Sequence, residues 1–164
     1  MTHIITETDV EEAALEVLSE LGYKILHGPD IAPDGTNPQK QSYSDVFLAE
    51  RLIEAIDKIN PNIPKEAREE AIKKVLRSES QQIVINNQSF HKMLVDGIDV
   101  EYRRKDGSIV GDKVWLFDFK NPQNNEFLAV NQFTIVENNN NRRPDIILFI
   151  NGLPLVSCQP SRVG

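Results

Sequence analysis

The segment from Asp145 to Cys158 constrains the fold more than any other part of the sequence. Residues 145–150 read Asp-Ile-Ile-Leu-Phe-Ile, a run that is apolar on both faces of an extended chain and therefore typical of a central strand. Asn151-Gly152 predicts a turn, and residues 153–158 then predict an antiparallel partner strand. A two-residue loop would pair Asp145 with Cys158, whereas an odd-length loop or an equivalent bulge would pair it with Gln159.

Three helices are predicted before this hairpin. Thr8-x-x-Glu11 has the form of a capping box, and Gly22 is a natural end for the first helix. A 3.6-residue period predicts an inward face on this helix made of Val10, Ala14, Val17 and Leu21, with Ala13 and Leu18 beside it. The second helix is predicted from about Ser44 to Ile59, ending at Asn60-Pro61, with Phe47, Leu48, Leu52, Ile56 and Ile59 buried. The third begins near Pro64 and turns Ala67, Ala71, Val75 and Leu76 inward.

The remaining segments predict a loop, a short helix and several strands. Residues 28–44 are rich in Gly, Pro, Asn and Asp and predict a loop, and residues 90–95 predict a short amphipathic helix or turn. Strands are predicted at 100–104 and 109–119, joined at Asp106-Gly107, and at 126–136, followed by an Asn-rich turn at 138–141. We therefore predict one α/β (α+β) domain over residues 1–164, with N-terminal helices packed on a mixed β-sheet.

Composition limits the classes of function. The 164 residues carry a net charge of −7, which argues against a module whose whole surface grips nucleic acid but does not exclude DNA as a substrate. Cys158 is the only cysteine, so no disulfide forms within the chain. No secretory signal or membrane-spanning run is visible, and we expect a cytoplasmic protein without membrane contact.

The sequence Arg143-Pro144-Asp145, placed at the start of the central strand, indicates a metal-dependent site. Many nucleases place an Asp on one strand, and a Glu and a Lys one residue apart on the neighbouring strand. Two carboxylates converge to hold a divalent ion, which lowers the pKa of a bound water and stabilises charge on the phosphate. The lysine orients the nucleophile and offsets developing negative charge.

Longer stretches around this site resemble a known family. They are residues 121–134 (Asn-Pro-Gln-Asn-Asn-Glu-Phe-Leu-Ala-Val-Asn-Gln-Phe-Thr) and 142–156 (Arg-Arg-Pro-Asp-Ile-Ile-Leu-Phe-Ile-Asn-Gly-Leu-Pro-Leu-Val), with Leu-Gly-Tyr at 21–23 and Ile-Asn-Pro at 59–61. This sequence is similar to the N-terminal nuclease domain of type I restriction enzyme R subunits (the HsdR family, nucleases of the PD-(D/E)xK type). The resemblance implies a restriction-endonuclease-like core with Asp145 in a Mg²⁺ site.

The resemblance also implies an activity and partners. Members are type I site-specific deoxyribonucleases, which cleave DNA with Mg²⁺ and ATP in restriction-modification defence, together with modification and specificity subunits. ATP serves a motor that follows the nuclease region in such subunits, and no Gly-x-x-x-x-Gly-Lys-Ser/Thr phosphate loop occurs in this sequence. We therefore expect no ATP site here. The alternative, from a different class, is a non-catalytic module that docks onto the modification and specificity subunits or onto DNA.

The sequence departs from the family at the end of the return strand. The family's Glu and Lys would fall at positions 159 and 161, where this chain has Gln159 and Ser161, separated by Pro160. We therefore expect a fold that is incomplete at its C-terminus, weak or absent Mg²⁺ binding and no DNA cleavage by the chain alone. A natural truncation, a frame shift and an appended tail would each produce such an ending. Because the family's metal site needs position 159 opposite Asp145, we expect the odd-length loop or the bulge.

Several other residues are candidates for the site. In the family an acidic residue of the first helix approaches the metal, which makes Glu7 our first choice and Glu11 our second; the alternative is a solvated Glu7 and a Glu11 that only completes the helix cap. Arg142 and Arg143 are candidate DNA contacts or ordinary surface charges. Gln132 is expected either to satisfy a backbone group or to support the site. Asp118 is expected either to partner a basic residue or to lie next to the site. The histidines show no metal-ligand spacing; they are His3, His27 and His91.

Overall fold

A computed structural model describes residues 4–77 and 88–158 of the protein. The chain divides into two compact units, one containing the chain up to Leu48 and from Phe127 onward, the other running from Ala49 to Glu126. The single domain predicted for residues 1–164 stays a prediction. Within the described ranges, no helix is both long enough and apolar enough to span a membrane.

The first unit is built on a four-stranded mixed sheet. Its elements in chain order are α1 (Glu7–Glu20), β1 (Lys24–His27), α2 (Gly28–Ile31), β4 (Phe127–Asn131), β5 (Ile135–Glu137), β6 (Asn140–Arg142), β7 (Ile146–Ile150) and β8 (Leu153–Cys158). The sheet order is β1-β4-β7-β8; β1 runs parallel to β4 and the other pairs are antiparallel, while β5 and β6 form a separate hairpin. Helices with a mixed sheet confirm the predicted α+β class.

The β7–β8 hairpin has the predicted bulge. Ile150 pairs with Leu153, so the loop contains only Asn151 and Gly152. A register shift follows between Leu148 and Phe149, and Ile146 then pairs with Cys158. The bulge therefore has the effect that an odd-length loop would have had, as expected. Gln159, the position predicted to face Asp145, lies outside the described residues.

The two central strands are buried on both faces. In β4, Leu128, Ala129 and Val130 are all fully buried, and in β7, Ile146 and Ile147 are nearly so. Leu128, Val130 and Ile147 pack in one core cluster. This cluster also contains Phe133 and Phe149, whose rings meet edge to face, together with Ile31 and Leu48. The prediction of a central strand at 145–150 is confirmed.

Helix α1 begins earlier than predicted and presents a different face. Thr6 rather than Thr8 is the N-cap, in a reciprocal capping box with Asp9, and the bond from Thr6 holds the pKa of Asp9 below its usual value. Three members of the predicted inward set, Val10, Val17 and Leu21, are exposed by 51%, 54% and 71%. The partly buried face consists of Glu11, Ala14, Leu15 and Leu18. Hydrogen bonding explains this orientation of α1. The neighbouring end of β4 carries side-chain amides that need an acceptor, and the Glu11 carboxylate provides it.

Several segments of the first unit differ from the prediction. The strand predicted at 126–136 ends at Asn131, because Gln132 adopts a left-handed backbone with φ of 52°. The predicted loop at 28–44 begins with α2, and β1 before it was not predicted at all. The turn predicted at 138–141 is shorter: Asn138 and Asn139 have positive φ, while Asn140 and Asn141 already belong to β6.

The second unit contains three helices and a hairpin. They are α3 (Ala49–Ile59), α4 (Lys65–Arg77), α5 (Gln88–Asp96), β2 (Ile98–Arg103), β3 (Ile109–Val114) and a short 3₁₀ helix at Pro122–Asn124. Helix α3 begins five residues after the predicted start at Ser44, and β3 ends at Val114 instead of Phe119. Asn60 ends α3 as predicted, and its side chain bonds both the N–H and the carbonyl of Trp115, at 2.8 Å each.

Lys40 anchors the long loop of the first unit. Its side chain is only 6% exposed, donates to the carbonyl of Thr134 at 2.9 Å and lies 4.0 Å from the centroid of the Phe133 ring. Burial lowers the pKa of Lys40 to about 8, although the nearby carboxylate of Asp45 partly opposes this shift. The loop is therefore fixed to the segment after β4 by a cation that is costly to bury.

Replacing Lys40 by Met tests this cost. The folded protein releases the Lys40 proton near pH 8, whereas the unfolded chain keeps it up to the ordinary value of 10.5. Between these values the unfolded chain binds more protons, so the unfolding free energy of the native protein rises with pH. In urea denaturation we expect the unfolding free energy of the wild type to rise by about 2 kcal/mol relative to that of Lys40→Met between pH 7 and pH 10. Parallel pH dependences of the two proteins would contradict this assignment.

Candidate functional site

Asp145 lies at the start of β7, at the edge of the core. Asp145 is partly buried, and its neighbours in the sequence, Pro144 and Ile146, are buried. Its backbone carbonyl accepts a hydrogen bond from the N–H of Gln132 at 2.9 Å. Among the described residues, no side chain or backbone group is hydrogen-bonded or ion-paired to the Asp145 carboxylate.

Glu11 reaches the same end of the sheet from α1. The side-chain amide of Asn131 donates to its Oε1 at 3.0 Å, and the side-chain amide of Gln132 donates to its Oε2 at 2.8 Å. Asn131 is the last residue of β4 and pairs with Ile146 of β7. Glu11 and Asp145 are thus both connected to the Asn131-Gln132 dipeptide, the first through side chains and the second through the backbone.

The approach of β1 to β4 completes this arrangement. His27 pairs with Asn131 in the parallel register, and its Nδ1 lies 2.8 Å from the side-chain oxygen of Asn131. Because that oxygen only accepts, Nδ1 carries the proton and donates it. Gly28 follows, and a Cβ built there would lie 2.5 Å from the carbonyl oxygen of Asn131 and closer still to that of Gln132. Only glycine fits at this crossing.

The structure does not bring Glu7 to the cluster formed by Glu11, Asn131 and Gln132. Glu7 is the first residue of α1, its side chain is exposed, and it makes no contact that involves the described residues near Asp145. Glu11, our second choice, lies one turn further along and contacts the end of β4.

The two arginine candidates lie on the approach to Asp145. Arg142 ends β6 and pairs with Ile135 of β5, and Arg143 follows in the connection to β7. Both are exposed, and neither has a hydrogen-bond or ion-pair partner among the described residues. Gln159 and Ser161, which occupy the family's Glu and Lys positions, lie outside the described residues, as does His3.

Asp118 has a local structural role in the second unit. Its Oδ2 accepts from the side chain of Asn124 at 2.9 Å, and its Oδ1 accepts from the backbone N–H groups of Lys120 and Asn121. These bonds, chiefly the one from Asn124, hold its pKa below the usual value. The carboxylate thus organises the turn before Phe127 through amides, with only a Coulombic contribution from Lys120.

The donor set fits a hard divalent cation only in part. Within residues 4–77 and 88–158, no three His, Cys, Asp or Glu side chains are grouped closely enough to hold a metal ion. Asp145 and Glu11 offer carboxylate oxygens, which Mg²⁺ prefers, and Mg²⁺ commonly binds one or two protein carboxylates while retaining waters. Asp145 and Glu11 are therefore the described residues at this edge of the sheet that could hold such an ion.

Comparison with known proteins identifies the family. The family model for the type I restriction enzyme R protein N terminus matches residues 4–157. The chain belongs to this family. It is 38% identical over 154 residues, 93% of its length, to the type I restriction enzyme HindI endonuclease subunit of Haemophilus influenzae, and 36% identical over 149 residues, 89% of its length, to a protein of Methanocaldococcus jannaschii provisionally named as the MjaIXP endonuclease subunit.

The match covers only a small part of the longer relatives. The chain spans 14% of the length of each of these two proteins, and the same holds for a third, provisionally named as the MjaVIIIP endonuclease subunit of Methanocaldococcus jannaschii, which is 26% identical over 162 residues. Membership of the type I R protein family, deduced first from the Arg-Pro-Asp and Asn-Gly-Leu-Pro-Leu stretches, is thereby confirmed.

Sequence reasoning missed part of this site. Gln132 was considered as a supporting residue, but the contacts of Asn131, His27 and Gly28 were not predicted. The available signal was a pair of amide residues that ends an otherwise fully apolar strand, since such amides need partners when they are partly buried. Which partner they find depends on α1, more than 100 positions away in the sequence, and no local pattern shows that.

Proposed function

We propose that this chain is part of the nuclease region of a type I restriction R subunit, and that the parent enzyme hydrolyses DNA phosphodiesters with Mg²⁺ bound at Asp145. The observation that carries the proposal is the partly buried Asp145 at the start of β7, whose carboxylate has no partner among the described residues and which lies at the same end of the β4–β7 pair as Glu11. Family membership supports DNA as the substrate and a complex with modification and specificity subunits as the setting. The cytoplasmic location expected from the sequence belongs to the same proposal.

The residues present have distinct tasks in this proposal. Asp145 and Glu11 together supply two negative charges, and Glu11 replaces Glu7 as the ligand that α1 contributes. When bound, Mg²⁺ lowers the pKa of a bound water and offsets charge on the phosphate. Asp145 and Glu11 would bind the cation, and the β7–β8 bulge sets the register that would place position 159 opposite Asp145.

The substitutions at 159 and 161 predict that the chain alone is inactive. Gln159 is neutral where the family has an anionic ligand, and Ser161 lacks the positive charge of the family's lysine. Each lost group is expected to slow the reaction by about 10²-fold or more. In assays with Mg²⁺ or Mn²⁺, we expect the purified chain not to nick supercoiled plasmid. Nicking that disappears in Asp145→Ala would contradict this prediction.

Restoring the motif provides the positive test. The triple variant Gln159→Glu, Pro160→Ala, Ser161→Lys is expected to gain metal-dependent nicking, and Asp145→Ala in that background is expected to remove it. Pro160→Ala alone is the matched control, because it relieves the backbone restriction without adding either charge. A folded triple variant that nicks no faster than this control would overturn the nuclease proposal.

Arg142 and Arg143 are proposed as DNA contacts. They lie within three residues of Asp145 and are exposed, and their guanidinium groups, which have no partner among the described residues, suit phosphate oxygens. We expect Arg142→Ala/Arg143→Ala to weaken duplex binding and to lower the dependence of log affinity on log salt by roughly 1 to 2, since each phosphate contact contributes about 0.9. Arg104→Ala/Lys105→Ala, at the exposed tip of the β2–β3 hairpin, is the control. Equal losses in both variants would show a general charge effect instead.

A docking module is the second candidate function. One observation favours it: the outer face of α1 and the residues before it expose Ile4, Ile5, Val10, Val17 and Leu21, at 51% to 81%. In this case the chain would bind modification and specificity subunits through that face. Val10→Ser/Val17→Ser should then abolish co-elution with those subunits, while the motif-restored variant of this chain would still not cleave DNA.

A further inference from the structure

Asn131 and Gln132 donate hydrogen bonds from their side chains to Glu11 of α1. The backbone N–H of Gln132 donates to the carbonyl of Asp145 at the start of β7. We propose that Asn131 and Gln132 are positioning residues, which hold the Glu11 carboxylate in place for the divalent cation at Asp145. The proposal rests on the metal site proposed above and adds to it the groups that set its geometry. Neither amide is assigned as a ligand.

The hydrogen bonds leave Glu11 able to bind a cation. Asn131 donates to Oε1 and Gln132 to Oε2, so each oxygen has one bond from the protein. A carboxylate offers about four lone-pair sites, and two therefore remain. Amides are neutral, so they fix the orientation without cancelling the charge as an arginine or lysine would. Glu11 is thus held as an anion with oxygen sites to spare.

Gln132 couples the position of Glu11 to that of Asp145. Its backbone N–H donates to the Asp145 carbonyl at 2.9 Å, while its side chain donates to Glu11 at 2.8 Å. The residue has a φ of 52°, a left-handed conformation that is uncommon outside glycine and that turns the chain out of β4. Such strained positions persist only where the surroundings determine them, and they concentrate at functional sites.

Asn131 is itself oriented by a third side chain. His27 Nδ1 donates to the Asn131 oxygen at 2.8 Å, which leaves the amide nitrogen directed at Glu11. Gly28 allows β1 to approach closely enough for this bond, since a Cβ at that position would meet the carbonyl oxygens of Asn131 and Gln132. The chain of contacts His27–Asn131–Glu11 therefore has one consistent direction of donation.

Groups of this kind have a measurable effect on metal affinity. Removing an outer hydrogen-bond partner of a metal ligand typically weakens binding by about 10–100-fold. A residue that matters only for folding would instead lower the melting temperature and leave the affinity of the folded protein unchanged. Affinity and stability therefore separate positioning from simple structural support.

The test is a Mn²⁺ titration of the full chain, followed by electron paramagnetic resonance, with the melting temperature of each metal-free variant measured in parallel. The same titration is repeated in the Gln159→Glu background, because the added carboxylate is expected to raise the Mn²⁺ affinity if the wild-type site is weak. We expect Gln132→Met and Asn131→Leu to weaken Mn²⁺ binding about 10-fold. Gln123→Met, the same change at an exposed position of the 3₁₀ helix, is the matched control and should bind as the wild type does.

The outcomes separate this proposal from the one it rests on. If Asp145→Asn weakens binding while Gln132→Met and Asn131→Leu leave it unchanged, the positioning role is overturned and the metal site stands. If Asp145→Asn binds as the wild type does, or no saturable binding occurs in either background, the metal site itself fails. A second readout is the chemical shift of the Asn131 and Gln132 side-chain NH₂ groups, which should move on addition of Mg²⁺; unchanged shifts would also overturn the positioning role.

Discussion

The pairing of β4 with β7 is the constraint on which the first unit depends. Both strands bury apolar side chains on each face, so neither can leave the sheet without exposing the core. A sheet of this kind has to end, and its ends bring polar groups to the edge of an apolar layer. At one end those groups are Asn131, Gln132 and Asp145, and helix α1 places the Glu11 carboxylate there, which accepts from the two side-chain amides.

This requirement explains why α1 turns as it does. An apolar pattern reports which residues gain by burial, but it does not report what lies opposite the helix. Rotating α1 to bury Val10 and Val17 would remove Glu11 from two side-chain amides. An unsatisfied buried amide costs about 1–3 kcal/mol, comparable to the burial of one aliphatic side chain, so leaving two amides without an acceptor offsets what burying the two valines would gain. The exposed apolar stripe follows from that balance.

The sequence predicts those parts of the fold that are determined locally. The hairpin at 151–152, the end of α3 at Asn60 and the capping of α1 all follow from turn and capping chemistry over a few residues, although the cap was placed two residues late. The short strand β1 was missed because it has four residues between two glycines, and its partner β4 is about 100 residues away. For the site, Asp145 follows from its place before the apolar strand. Glu11 was only the second choice on the first helix, and its bonds to the two amides were not predicted, because they span 120 and 121 residues.

The negative charge of Glu11 and Asp145 decides what can bind at their end of the sheet. Glu11 and Asp145 lie at the same end of the β4–β7 pair in a protein of net charge −7, and their described hydrogen-bonding partners are neutral amides and a backbone N–H. Two carboxylates without a cation repel a phosphate, and the family's lysine at position 161, which would offset part of that repulsion, is Ser161 here. A DNA backbone can approach such a cluster only when a cation neutralises it or when positive charge comes from elsewhere, such as Arg142 and Arg143. If Mg²⁺ binds at this cluster as proposed, the binding of metal and of phosphate at this edge of the sheet is coupled, because the cation removes the repulsion between the carboxylates and the phosphate.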